Sequence, residues 1–242
     1  MPRINKVELF VRNPPLSSSD NLLRLTDDLL GRILFSGYLK TNWNTIVGLI
    51  LVNKTFMGLG KRYIAYVDNR GRPEKCFFLG IGKVAPNLVS LDLGDTNFTC
   101  TIELGALLES LRVSLRGRAL KSTNVNDAFI VDHICPLSQL RFLNVSKSTT
   151  ASKVDITDVG GVALGALMQL KWLNISMTNI TDATVVHLQR CGVPLEYLAL
   201  ECCTLLTDAA ALAIGRFKLH SLDITNCKLI SEAGLTSLCT DR

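Results

Sequence analysis

One short pattern recurs along this chain and limits what it can fold into. "NLVSLDL" begins at Asn87, "QLRFLNV" at Gln139, "QLKWLNI" at Gln169, "PLEYLAL" at Pro194 and "KLHSLDI" at Lys218. Each reads Leu-x-x-Leu-x-[Leu/Val/Ile], with leading leucines Leu88, Leu140, Leu170, Leu195 and Leu219. The last three intervals between them are 30, 25 and 24 residues. A further copy, "SLRVSLRG" from Ser110, stands in the long first gap and reads as one residue short. Alternating apolar residues describe a short strand. Such a strand cannot bury its apolar side alone, so successive units must stack into a shared core.

A second periodic feature follows each strand. Thr157-Asp158, Thr181-Asp182, Thr207-Asp208 and Ser231-Glu232 fall 24, 26 and 24 residues apart, each before a helix-like apolar stretch such as "VGGVALGALMQL". A Ser or Thr at that position caps a helix by accepting from an orphan amide, and the acid behind it faces the positive end of the helix dipole. Each unit therefore reads as strand, turn, capped helix and return.

The spacing is that of leucine-rich repeats, whose period is about 20–29 residues. "LALECCTLLTD" and "LDITNCKLISE" resemble the cysteine-containing class, with Cys203 and Cys227 three residues after Leu200 and Ile224. Thr178 takes the cysteine position one repeat earlier. The expected fold is an α/β leucine-rich-repeat solenoid over 86–242, about six units, with parallel strands on the concave face and helices on the convex face. Leu173, Leu198 and Leu222 are expected to form one buried row, with Ala199 facing out.

The repeat also bears on two Asn-x-Ser/Thr sequons, Asn174-Ile175-Ser176 and Asn179-Ile180-Thr181. The first fifteen residues hold no apolar run typical of a secretory signal, so the sequons are expected to serve structure instead of glycosylation. Asn174 and Ser176 are expected to alternate outward with Leu173 and Ile175. Asn179 reads as a turn residue and Thr181 as a cap.

Residues 22–64 lack the repeat period. Leu25, Leu29, Leu30, Ile33 and Leu34 make a helical stripe, with Thr26 and Asp27 as cap candidates and Ile46, Ile50, Leu51 and Phe56 in a second stripe. "LTDDLLGRIL", Leu39, "LVNKTF" and Leu59 together resemble an F-box, with Thr26 in place of the usual proline and Phe56 where tryptophan is common. That order, F-box before cysteine-type repeats, is the layout of F-box/leucine-rich-repeat proteins. The resemblance implies a tail over 1–20, a small all-helical module over 21–64, a linker and first capping strand over 65–85, and then the repeats. It further implies that Leu25, Thr26, Leu29, Leu30, Ile33, Val52 and Phe56 dock a Skp-type adaptor and cullin, with a protein substrate on the repeats. The other class of reading is a structural subunit of a ciliary, cytoskeletal or mitochondrial assembly, in which the same helices cap the solenoid or touch a neighbour.

Composition narrows the classes further. Residues 1–75 hold 12 Lys/Arg and 6 Asp/Glu, whereas 76–242 hold 14 and 15. A basic first third suits an acidic partner there. The basic residues are scattered with few aromatics among them, so nucleic acid is not expected. The longest apolar run, "IVGLILV" from Ile46, is too short to span a bilayer. Eight cysteines form no C-x-x-C pair, which favours free buried thiols. A cytoplasmic or nuclear place is expected, a mitochondrial one less so, because Pro2, Pro14 and Pro15 interrupt the basic N-terminus. His133, His187 and His220 read as isolated, and "GLGKR" at Gly58 lacks a complete phosphate loop. No catalytic site, metal site or cofactor is expected.

The candidate partner site comes from the residue before the second leucine. In three successive units it is Phe142, Trp172 and Tyr197, flanked by Ser90 and Ser221 in outer units. Parallel strands about 4.8 Å apart would set these rings in a ladder. Asn144 and Asn174 run beside it, then Ser146 and Ser176, with Lys147, Met177 and Glu201 at its edge. Two readings stand side by side: a binding hot spot, or rings that only brace neighbouring strands.

Overall fold

Leucines spaced as above demand a wall of strands, and the chain builds one. The computed structural model describes residues 66–68, 81, 85–93, 102–120, 125–147 and 156–240. Seven strands of three residues form one parallel sheet in strict chain order. They are β1 (Tyr66–Asp68), β2 (Ser90–Asp92), β3 (Gly117–Ala119), β4 (Phe142–Asn144), β5 (Trp172–Asn174), β6 (Tyr197–Ala199) and β7 (Ser221–Asp223). Among the described residues, helices with defined bounds lie between and after them: α1 (Ile102–Ser110), α2 (Asp127–Phe129), α3 (Asp158–Ala163), α4 (Asp182–Arg190), α5 (Asp208–Ile214) and α6 (Glu232–Thr240). A π turn, Ile130–Ile134, extends α2, and a 3-10 turn, Leu164–Ala166, extends α3. Consecutive strands and consecutive helices pack on one another, as a solenoid requires.

The leucines form three rows through the stack. The middle row runs Leu91, Leu143, Leu173 and Leu198, each at most 1% exposed, and ends at half-buried Leu222. The leading row runs Leu88, Leu115, Leu140, Leu170 and Leu195, and the trailing row Leu93, Leu120, Val145, Ile175 and Leu200, all buried. Each such side chain contributes about 1.5–3 kcal/mol by leaving water. This is the row expected of Leu173, Leu198 and Leu222.

The third coil corrects the sequence reading. Its strand is Gly117–Ala119, in register with Ser90–Asp92 and Phe142–Asn144. Leu115 is therefore the leading leucine and Leu120 the trailing one. Leu111 instead closes α1, its amide bonded to Leu107 O at 3.1 Å. No residue is missing: Arg118 stands in the middle row, which broke the pattern and shifted the apparent register by four positions.

The expected caps are present. Thr157, Thr181 and Thr207 accept from Val159, Ala183 and Ala209 amides at 3.2, 3.2 and 3.3 Å. Asn126 caps α2 in the same way. The acid behind each cap also reaches the next coil. Asp127 accepts from Thr157 N and Oγ1 at 2.9 and 2.6 Å. Asp158 does so from Thr181, Asp182 from Thr207 and Asp208 from Ser231. Four carboxylates thus stitch five successive helix starts together, at the position where the helix dipole also favours negative charge.

The strand ends explain the first sequon. Asn174 Oδ1 accepts from Ser176 N at 3.0 Å, and Asn144 Oδ1 accepts from Ser146 N and Oγ at 3.1 and 2.8 Å. Asp223 and Thr225 repeat the turn. An Asx turn needs Asn or Asp, then one residue, then an amide to donate, so Asn-x-Ser arises here from backbone geometry. It also corrects an expectation. The strand stops at Asn174, so Ser176 turns in and is 4% exposed, as Ser146 is 3%. Ala199 does not face solvent either; it is 1% exposed, in register between Asn174 and Asp223.

Cys203 and Cys227 lie inside their turns. Their thiols donate to Ile175 O at 3.5 Å and Leu200 O at 3.1 Å, one coil back, while Thr178, at the cysteine position of its coil, donates its hydroxyl to Ile175 O of the same coil at 2.7 Å. Burial pushes the Cys203 thiol up and the Cys227 thiol to about 11, which disfavours the thiolate in both.

Candidate functional site

Side chains on one face of a strand alternate with those on the other. Because Leu143, Leu173 and Leu198 point into the core, Phe142, Trp172 and Tyr197 stand on the face of the sheet turned away from the helices. Register sets Phe142 beside Trp172 and Trp172 beside Tyr197. The rings stack: Phe142 and Trp172 centroids are 4.0 Å apart with planes 14° apart, and Trp172 and Tyr197 are 4.5 Å and 4° apart. All three are half-buried, so each keeps part of its surface in solvent. The strand spacing imposes this parallel arrangement, and ring pairs in that range contribute about 0.5–1.5 kcal/mol beyond burial.

Asn144 and Asn174 stand beside the stack as expected. Their Oδ1 atoms are held in the Asx turns, and their Nδ2 groups have no partner among the described residues. Half-buried Met177 and Glu201 follow at the edge, with Met177 N donating to Glu201 O at 2.7 Å. Lys147 departs from expectation. It is 6% exposed, and its Nζ donates to Val125 O at 2.8 Å, so it ties coils together instead of presenting a charge. Its long stem follows Ser146 into the turn, a consequence of the strand ending at Asn144. The Ser176 hydroxyl is buried with no hydrogen-bond partner among the described residues, so it too is withdrawn from the surface.

Charge lines the other side of the rings. Arg141 and Lys171, each just before a ring, are exposed. Lys171 Nζ pairs with Glu196 Oε1 at 2.5 Å, and this hydrogen bond, with the Lys171 and His220 charges, holds the Glu196 carboxyl below its usual range. Sequence reasoning missed this charged edge, because the pair is 25 residues apart and becomes adjacent only through strand register.

The adaptor-binding candidates Leu25, Thr26, Leu29, Leu30, Ile33, Val52 and Phe56 lie outside the described residues. In the helix layer, His187 is not isolated: its Nε2 lies 3.3 Å from Cys191 Sγ. The ring packs over Gly165, where an added Cβ would sit 2.9 Å from His187 Cδ2, so glycine there serves the close approach of coils. His133 tilts against Phe129 with ring centroids 4.9 Å apart. Among the described residues, no group of three His, Cys, Asp or Glu could hold a metal ion, and no helix is long and apolar enough to cross a membrane.

A family match agrees with the coil geometry. The family description "Leucine Rich repeat" matches residues 217–239, the last strand and most of α6. Together with the stacked leucine rows, it defines the described region as a leucine-rich-repeat solenoid. No curated protein matches the sequence. Among solved structures the chain is similar to internalin C2 from Listeria monocytogenes, at 18% identity and a TM-score of 0.48, covering 81% of this chain and 78% of that one. It is also similar to a chain of the yeast Rad7 and Elc1 complex, at 14% identity and a TM-score of 0.39, covering 90% and 71%.

Proposed function

We propose that this chain is a non-catalytic protein-interaction subunit, the substrate receptor of a cullin–RING ubiquitin ligase, with residues 21–64 docked on a Skp-type adaptor and a protein partner held on the open face of the repeats. The observation that carries the reading is the aromatic stack. Coils on either side place Ser90, Gly117 and Ser221 at the same position, so the coil itself does not require a ring. Three half-exposed rings flanked by free amide donors form a surface of the type that dominates protein interfaces, where Trp and Tyr anchors are enriched. Support for the ligase half comes from the order of segments in the sequence, F-box-like before cysteine-type repeats.

The two halves have separate tests. Trp172→Ala is expected to weaken partner capture by about 30-fold or more, a hot-spot cost of about 2 kcal/mol, while circular dichroism stays unchanged. Partner capture that survives in a folded variant would make the stack a brace between strands. Leu29→Ala combined with Ile33→Ala is expected to abolish recovery of the adaptor and cullin. Recovery of one fixed large complex free of both from the unaltered chain would make it a structural subunit instead.

A further inference from the structure

The aromatic stack ends beside a small residue on each side, and the two ends differ in what stands next to them. Phe142 pairs in register with Gly117, which is buried, whereas Tyr197 pairs with Ser221, which is exposed. Trp172 covers one face of the Tyr197 ring. The hydroxymethyl group of Ser221 is too short to cover the other. Stacked rungs repeat at the strand spacing, so the place above Ser221 is that of a fourth rung with no ring to fill it.

The wall of this place is acidic. Asp223 stands two residues beyond Ser221 on the same face of β7 and in register with the small side chain of Ala199. Asp223 Oδ1 accepts from Thr225 N at 3.0 Å, and Oδ2 has no partner among the described residues. Burial and then the Asp223 charge push the Tyr197 hydroxyl up, which places that carboxylate within electrostatic reach of the phenol. Among the other charges here, Glu196 is occupied by Lys171 and acted on by His220, residues that precede their strands, whereas Asp223 ends β7 and lines a hollow with Lys228.

We propose that the open face of Tyr197, Ser221 and Asp223 form a slot for the guanidinium group of an arginine in the protein partner. The planar cation stacks on Tyr197 as the fourth rung and directs its N–H groups to Asp223 Oδ2. Flatness selects arginine over lysine, since a guanidinium stacks on a ring face while an ammonium is a hydrated point charge. Charge selects arginine over an aromatic side chain, which would leave the carboxylate unanswered. The inference rests on the reading of this face as a partner site and names the chemistry of the group that enters it.

N-acetyl-arginine amide, titrated into the full chain and followed through NMR signals of the Tyr197 and Trp172 rings, tests it. Saturable shifts are expected, with the neutral isostere N-acetyl-citrulline amide and the lysine analogue each weaker by about tenfold or more. Asp223→Asn keeps an Asx acceptor for Thr225, and is expected to lower arginine-amide affinity by about tenfold. Ser221→Phe is expected to fill the slot and remove the shifts. Equal binding of the citrulline compound, or an Asp223→Asn variant that binds as well as the parent, overturns the slot. Partner capture that depends on Trp172 but not on Asp223 overturns the arginine slot and leaves the face reading standing. Arginine-amide binding alongside Trp172-independent capture does the reverse.

Discussion

At the scale of single residues, three positions carry a conformation that the sequence hardly advertises. Met177, Cys202 and Asn226 occupy equivalent places after β5, β6 and β7, with φ of 59°, 57° and 60°. The left-handed region disfavours a Cβ-bearing residue by roughly 1–2 kcal/mol, and only Asn of these three tolerates it readily. The turn holds because its amides are needed one coil on, where Met177 N donates to Glu201 O and Cys202 N to Thr225 O. Cys202→Asn is therefore expected to raise stability by about 0.5–1 kcal/mol in a urea titration. The same change one residue later, Cys203→Asn, is expected to cost about 2 kcal/mol or more, because Cys203 is 0% exposed and its thiol is already matched to Ile175 O. Two adjacent cysteines with opposite responses would separate the role of the backbone from that of the side chain.

At the scale of elements, the acid after each cap is a fastener between coils. Asp158 accepts from Thr181 N at 2.9 Å and from Thr181 Oγ1 and Thr184 Oγ1 at 2.6 Å each. Burial pushes its carboxyl up, but the side-chain and backbone hydrogen bonds from Thr181 and Thr184 outweigh that and hold it below the ordinary 3.8. A lowered folded-state value means the stabilisation is present in full above the unfolded value and is lost as pH falls through the folded one. Asp158→Asn turns one acceptor into a donor facing donors, and is expected to cost about 1 kcal/mol at neutral pH for this part-exposed group. That deficit should shrink below pH 3.8, as thermal midpoints of parent and variant converge. Sequence showed the Thr-Asp period and hence the caps, since capping is local. It did not show the bond to the next coil, because that depends on how helices stack. The same division runs through the sheet and site. The Phe142, Trp172 and Tyr197 alignment was legible from leucine spacing alone. The inward turn of Ser146, Ser176 and Lys147 was not, because alternation says nothing about where a strand stops. β3 was misplaced because Arg118 holds the middle-row position that a leucine holds in the coils beside it.

At the scale of the whole molecule, a leucine's importance depends on its place in the stack. Each coil contacts only its neighbours, so stability is close to a sum over coils and the junctions between them. Leu198 in β6 has a coil on both sides and is 1% exposed. Leu222, the same row one strand on, has a neighbour on one side only among the described residues and is half-buried. Beyond it Leu222, Ile224, Cys227, Ile230 and Leu235 line an open hollow of about 400 Å³, and Leu235 is 46% exposed. Truncating a buried leucine loses its transfer energy and leaves a cavity, whereas at an open end solvent fills the space and most of the cavity penalty vanishes. Leu198→Ala is accordingly expected to cost about 2–5 kcal/mol, and Leu222→Ala about 1–2 kcal/mol. Hydrogen exchange can separate the two effects by location. Leu198→Ala should release amides of β5 through β7 together, since it cuts both junctions of the coil. Leu222→Ala should release only β7 and α6 while β4 and β5 keep their protection. Equal costs at the two positions would mean that a leucine's own coil, not the number of junctions it makes with neighbouring coils, sets what it contributes to the stack.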